Sequence, residues 1–143
     1  MIRSDLTAYL KSRGDLTSLV GQRIHWIRIP QREKGETTFP CVTFRRATGG
    51  HYQNLDGSQG YAQPLFEFDV WGPDSVSVER VAEQLRLSLQ GFRGVIGGTR
   101  VTEITLDDEQ DFYHPDETGG DAGIYRVQFK YTIGHAEAIP AFV

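Results

Sequence analysis

The chain has 143 residues, with 15 basic and 19 acidic side chains and a formal net charge of −4. This length fits one domain with a core large enough to fold without disulfides or structural metals. The acidic balance argues against a nucleic-acid footprint over the whole molecule. The single cysteine, Cys41, excludes an internal disulfide framework and multi-cysteine zinc sites, and it favours a reducing compartment. We expect neither a signal peptide nor a membrane span, because no long apolar run is present.

Charge is divided unevenly along the chain. Residues 1–60 carry nine basic and five acidic side chains, a net +4, whereas residues 61–143 carry six and fourteen, a net −8. Twelve of the 15 basic residues are arginines. The guanidinium group suits protein interfaces, although genome composition explains the excess equally well. Because a head-to-tail contact joins two unlike patches, this division favours a role in self-assembly.

The sequence of the N-terminal half predicts a helix, followed by strands and polar loop segments. Ser4 is a candidate N-cap for a short helix that ends at Arg13-Gly14, with one further turn over 15–20 and a β-rich stretch over 24–29. We expect a polar loop over 31–38 and a strand from Pro40 to about Thr48. The segment 48–61 has no apolar period and contains the turn signal Asp56-Gly57, which predicts a long exposed hairpin or a mobile loop.

The C-terminal half predicts three strands and one long helix. A strand over 65–71 precedes a helix over 75–89, whose N-cap is Asp74 or Ser75. Strands over 100–106 and 123–134 follow. Apolar residues recur at helical spacing at Val78, Val81, Ala82, Leu85, Leu89 and Phe92.

The order of elements lacks the β-α-β rhythm of a parallel sheet. It predicts an α+β fold: a mostly antiparallel β-sheet with one long helix and a short N-terminal helix packed on one face. The tail over 136–143 is expected to be extended, as a frayed terminus or a docking segment. The second sheet face is predicted to carry Thr43, Arg45, Glu67, Asp69, Arg126, Gln128 and Lys130.

Few sequence motifs point to catalysis or to the binding of a metal or cofactor. Residues 107–121 hold seven carboxylates and His114, a set that could suit Mg²⁺ or Ca²⁺, but the spacing matches no calcium loop and favours a solvated strand end and hairpin. The four histidines (His25, His51, His114 and His135) form no zinc motif. Cys41 is expected to be a small buried residue in a strand. No phosphate loop or nucleophile elbow is present. We therefore predict no catalytic, cofactor-binding or metal-binding residues.

Six short stretches follow one another in a characteristic order along the chain. They are LVGQRI at 19–24, FPCVTF at 39–44, FEFDVW at 66–71, LQGF at 89–92, DEQDFYHP at 108–115 and GIYRV at 123–127. In this order they resemble the tail terminator, or tail-completion, proteins of long-tailed bacteriophages and gene transfer agents. Cys41 stands where an aromatic residue is commoner in that family, and the stretch 119–122 is longer than the usual turn.

This resemblance implies a structural virion protein that is not an enzyme. It would cap the head-proximal end of the tail tube, terminate tube polymerisation and form the head-tail joining surface, as a homo-hexameric ring assembled in the host cytoplasm. Its partners would be itself, the tail tube protein and head-tail connector proteins. Genomic DNA would pass through the ring without sequence-specific binding, and neither a cofactor nor a membrane is implied.

Candidate interface residues follow from the hairpin, the adjacent arginines and the tail. Arg45, Arg46 and Arg126 are also candidates for a lumen. Three alternatives stay open: another head-tail connector or minor tail subunit, a small metal-dependent enzyme using the carboxylates of 107–121, and a regulatory binding module. The interface candidates are Arg45, Arg46, His51, Tyr52, Gln53, Asn54, Leu55, Asp56, Tyr61, Ile139 and Phe142.

Overall fold

Helices and strands follow one another along the chain much in the order that the sequence indicates. The structure, a computed structural model, describes residues 1–31, 38–115 and 123–142. Within these ranges it contains three helices and eight strands. They are α1 (Ile2–Ser12), α2 (Gly14–Val20), β1 (Ile24–Trp26), β2 (Cys41–Thr48), β3 (His51–Asn54), β4 (Gly57–Ala62), β5 (Leu65–Gly72), α3 (Ser75–Leu89), β6 (Gly94–Ile96), β7 (Thr99–His114) and β8 (Ile124–Ala136).

The strands form one sheet around β8. The order is β1-β2-β5-β8-β4-β3, and β7 lies along the other side of β8 and also pairs with β6. The pairing of β1 with β2 is parallel, and the other strand pairs are antiparallel. Phe129 of β8 stands opposite Phe68 of β5, and Ile133 stands opposite Ile104 of β7. The predicted α+β class with a mostly antiparallel sheet is confirmed.

The core lies between one sheet face and the helices. Strand alternation brings Phe44, Phe68 and Tyr131 to this face, where the rings of Phe44 and Phe68 stack with centroids 5.0 Å apart. Full burial of a side chain of this size stabilises the fold by roughly 1.5–3 kcal/mol. The helices contribute buried side chains at Leu6, Leu10, Leu16, Val20, Val78, Val81, Leu85 and Leu89.

The helix ends differ in part from the sequence prediction. The N-terminal segment is two helices, because Arg13 adopts extended dihedral angles (φ −82°, ψ 102°) that end α1 and begin α2. Ser4 lies inside α1 and is not its N-cap, and its hydroxyl donates to the Met1 carbonyl oxygen instead (3.1 Å). The predicted cap of α3 at Asp74 is confirmed: its carboxylate accepts the Ser77 N–H at 2.8 Å, which lowers the pKa of Asp74.

Two strands also differ in length. β1 stops at Trp26 because Ile27 turns the chain with a positive φ of 69°. β7 runs to His114, well beyond the predicted end at 106, because β8 supplies pairing partners as far as Ile124. The predicted loop over 31–38 lies mostly outside the described residues. In the described part of the chain, no helix is long and apolar enough to cross a membrane.

Candidate protein-contact surfaces

The segment predicted as a hairpin or mobile loop forms the hairpin β3–β4. Asn54 pairs with Gly57 across a two-residue turn of Leu55 and Asp56, and Gly57 has a φ of 111° that favours glycine. The Asn54 side-chain oxygen accepts the Asp56 N–H at 2.8 Å. All four residues of β3, including Gln53, are exposed, and the Leu55 side chain at the tip is fully exposed. The hairpin thus presents an apolar tip on a hydrogen-bonded turn.

Tyrosines fix the base of this hairpin to the sheet. The rings of Tyr52 and Tyr61 lie 5.6 Å apart, and the Tyr52 hydroxyl donates to Oε1 of Gln63 at 2.6 Å. Gln63 donates in turn to the Tyr61 hydroxyl at 3.1 Å, and that hydroxyl bonds to Oγ1 of Thr102 in β7 at 3.0 Å. This network holds the hairpin at a defined angle to the sheet.

The C-terminal segment packs against the same hairpin. Glu137 donates its N–H to the Gly60 carbonyl oxygen (3.0 Å), and its carboxylate contacts Nδ1 of His51 (2.7 Å). Gly60 leaves room for Ile139, since a Cβ at position 60 would lie 3.0 Å from Ile139 Cγ1. Ile139 is 62% exposed and Phe142 is 95% exposed. We call the hairpin β3–β4 together with residues 137–142 the hairpin surface.

The two arginines predicted to stand beside the hairpin are separated. Arg45 lies on the outer sheet face, where its guanidinium pairs with Glu67 at 2.7 Å. Arg46 lies on the opposite face, with its Cζ 5.7 Å from the Phe66 ring centroid, and borders the same cleft as His51. Adjacent residues in a strand point to opposite faces, so the predicted grouping of the two is wrong.

A cleft of about 510 Å³ beside the hairpin surface gathers positive charge. It is lined by Arg3, Arg46 and Arg100, together with the buried His135 and with His51 and Glu137, which contact each other. Among the described residues, no carboxylate lies within 4.0 Å of these three guanidinium groups. We call this site the basic cleft. The sequence prediction identified Arg46 and His51 but missed Arg3 and Arg100, which only the fold brings to them.

A second cleft, of about 570 Å³, gathers negative charge between α3 and the β7–β8 pair. Its carboxylates are Glu79 and Glu83 on α3 and Glu109 and Asp111 on β7. Over the described ranges none of these four carboxylates has a basic partner within 4.0 Å. The cleft also borders Arg86 and Arg126, whose guanidinium groups bond to Gln90 (3.0 Å) and Asp69 (3.4 Å). We call it the acidic cleft. The sequence prediction missed Glu79 and Glu83 as site residues.

The outer sheet face is polar, as predicted, and two of its arginines, Arg45 and Arg126, pair with carboxylates of the same face. The Arg126 guanidinium lies between the rings of Trp71 (5.1 Å) and Phe112 (4.3 Å), and Trp71 donates to Oγ1 of Thr43 at 2.9 Å. Burial raises the pKa of Asp69, and the neighbouring Arg126 opposes that rise. Arg45 and Arg126, both proposed for a lumen, are therefore already engaged by carboxylates of this face.

In the ranges that the structure covers, no group of three or more His, Cys, Asp or Glu side chains is placed to hold a metal ion. Of the acidic run 107–121, residues 116–122 lie outside the described residues. Cys41 is buried in β2, as predicted.

These features define an α+β protein with two oppositely charged clefts and an exposed aromatic hairpin, a surface typical of proteins that assemble with other proteins. The family model of Tail completion protein gp17 matches residues 4–135. The chain belongs to this tail completion family, as the sequence resemblance indicated, and it is a structural protein of the virion tail.

One solved structure with a high TM-score shares the fold at low sequence identity. It is a chain from a structure described as the virion of a native gene transfer agent particle, 13% identical, with a TM-score of 0.72 over 94% of each chain. A second solved structure is 16% identical, covers 99% of this chain and 97% of its own, and has a TM-score of 0.45. No curated protein matches the chain by sequence.

Proposed function

We propose that this protein completes the tail by closing the head-proximal end of the tail tube. It stops tube polymerisation there and forms the surface to which the head joins, as a hexameric ring through which DNA passes without sequence-specific contacts. The match to the tail completion family over residues 4–135 carries this proposal. The similarity in fold to a chain of a gene transfer agent virion, over nearly all of both chains, supports it.

The hairpin surface is the proposed contact with the tail tube protein or with a neighbouring subunit. Its exposed side chains include Tyr52, Leu55, Ile139 and Phe142, and aromatic and large apolar residues are enriched at the centres of protein interfaces. The turn is hydrogen-bonded and the base is fixed to β7, so little ordering of the hairpin backbone opposes binding. The head-tail connector would contact another face of the ring.

Loss of the gene tests this function in the phage or gene transfer agent that encodes the protein. We expect tubes longer than those of the wild type and heads without attached tails, with both defects repaired by the wild-type gene. Deletion of residues 52–58 should fail to repair either defect. Tubes of normal length, joined to heads, in the absence of the protein would contradict the proposal.

Point variants separate the hairpin surface from the rest of the molecule. Leu55→Asp places a charge at the tip and should prevent capping of the tube. Leu87→Asp makes the same change at another exposed leucine, on α3, and should cap normally. Equal activity of the two variants would exclude the hairpin tip from the contact.

A further inference from the structure

Among the described residues, the basic cleft and the acidic cleft each carry an excess of one sign of charge. Arg3, Arg46 and Arg100 in one and four carboxylates in the other lack ion-pair partners among the residues described. Glu137 also lines the basic cleft, and Arg86 and Arg126 also line the acidic cleft, but neither set outnumbers the opposite charges. Like charges held in one concave site repel one another, and an opposite charge placed there relieves that repulsion. Each cleft therefore has the sign of charge that the other would attract.

The two clefts lie at opposite ends of β8, which pairs with β7 along nearly its whole length. Arg126 near the start of β8 borders the acidic cleft, and His135 near its end borders the basic cleft. Nine residues of extended strand span about 30 Å. Two unlike patches at opposite ends cannot meet within one chain, but they can join one copy to the next in a heterologous, head-to-tail contact.

Other features beside the acidic cleft also suit a protein partner. Beyond the segment that pairs with β6, the outer edge of β7 has no neighbouring strand among the described residues. Tyr113 and Tyr125 are exposed there with ring centroids 4.8 Å apart. Exposed aromatic rings beside charged groups are typical of interface centres.

We infer that the acidic cleft of one copy docks against the basic cleft of the next. The inference rests on the proposed ring and names the surfaces that would build it: Glu79, Glu83, Glu109 and Asp111 of one subunit face Arg46 and Arg100 of its neighbour. Repetition of one such contact generates a closed ring when the rotation closes. Because the contact is electrostatic, its association constant falls as salt is raised.

A charge-exchange experiment tests the contact, with subunit mass measured by native mass spectrometry over a range of protein concentrations. The variant Arg46→Glu/Arg100→Glu carries two acidic ends, and Glu79→Arg/Glu83→Arg carries two basic ends. Each alone should associate about 100-fold more weakly than the wild type or worse. An equimolar mixture should restore the assembly, because every contact then joins opposite charges. Thermal unfolding of each variant confirms that it is folded.

A control variant tests whether any change of charge weakens the association. Arg13→Glu/Arg28→Glu makes the same change of charge at exposed arginines outside both clefts and should associate like the wild type. A wild type that stays monomeric, reversal variants that associate normally, or a mixture that stays monomeric would overturn the contact. If the mixture associates as expected but the wild type does not cap tubes, the contact stands and the proposed function fails. If the wild type caps tubes but the mixture of the two reversal variants does not associate, the proposed function stands and the proposed contact is wrong.

Discussion

Two tyrosines, the buried Tyr131 and the partly buried Tyr9, should respond in opposite directions to substitution by phenylalanine. Tyr131 is fully buried, and its hydroxyl has no hydrogen-bond partner in the described part of the chain. Burial raises the pKa of this phenol. A buried polar group without a partner costs about 1–3 kcal/mol. Tyr131→Phe keeps the ring contacts with Phe68 and Phe129 and removes the hydroxyl, so we expect about 2 kcal/mol of stabilisation.

Tyr9 provides the matched comparison. Its hydroxyl donates to the Ser88 carbonyl oxygen at 2.7 Å, in the last turn of α3, where carbonyl groups lack partners within the helix. Tyr9→Phe removes that bond and should destabilise the protein by about 1 kcal/mol.

Thermal unfolding followed by circular dichroism measures both effects. For 143 residues the unfolding entropy is about 0.3 kcal/mol/K, so the expected shifts in Tm are about +7 °C for Tyr131→Phe and about −3 °C for Tyr9→Phe. Urea titration gives the free energies independently. A lower Tm for Tyr131→Phe would contradict the claim that this hydroxyl is buried at a net cost, because it would mean that the hydroxyl makes a favourable interaction.

Three further substitutions test the fold. The Thr99 hydroxyl donates to Asp5 and lowers the pKa of that carboxyl below its usual 3.8, so Asp5 stabilises the fold above that pH. Asp5→Asn should reduce stability at neutral pH, and in acid titrations the difference from wild type should vanish as the pH falls below 3.8. Gly50→Ala should cost more than about 1 kcal/mol in urea unfolding, because φ is +60° and the new Cβ would lie 2.3 Å from the Gln63 carbonyl oxygen. Leu55→Asp should leave Tm within about 2 °C, since surface changes are usually worth less than about 0.5 kcal/mol.

Local patterns predicted most of the elements. The helical spacing over 75–89 and the strand alternation in β5 and β8 follow from burial of one face, and the structure has both. The end of β7 was missed because residues 107–114 are polar, and only the partner strand β8 makes them a strand. Serine is a common N-cap, but α1 begins at Ile2, so Ser4 lies inside the helix.

The charged clefts could not be predicted from local sequence patterns. Arg3, Arg46 and Arg100 come from α1, β2 and β7, which are far apart in the sequence and meet only in the folded chain. The division of the chain into a positive and a negative half anticipated opposite patches. However, Arg100 belongs to the acidic half of the sequence and lines the basic cleft, so the division did not locate the patches.

The position of the protein on assembled tails tests the proposed function most directly. Gold-labelled antibody against an epitope tag on the protein, viewed by electron microscopy on tails and whole particles, locates it relative to the head. We expect one label cluster per free tail, at the end opposite the baseplate, and in whole particles at the junction with the head. Labels along the tube or at the baseplate, or tails of normal length without label, would contradict the proposed function.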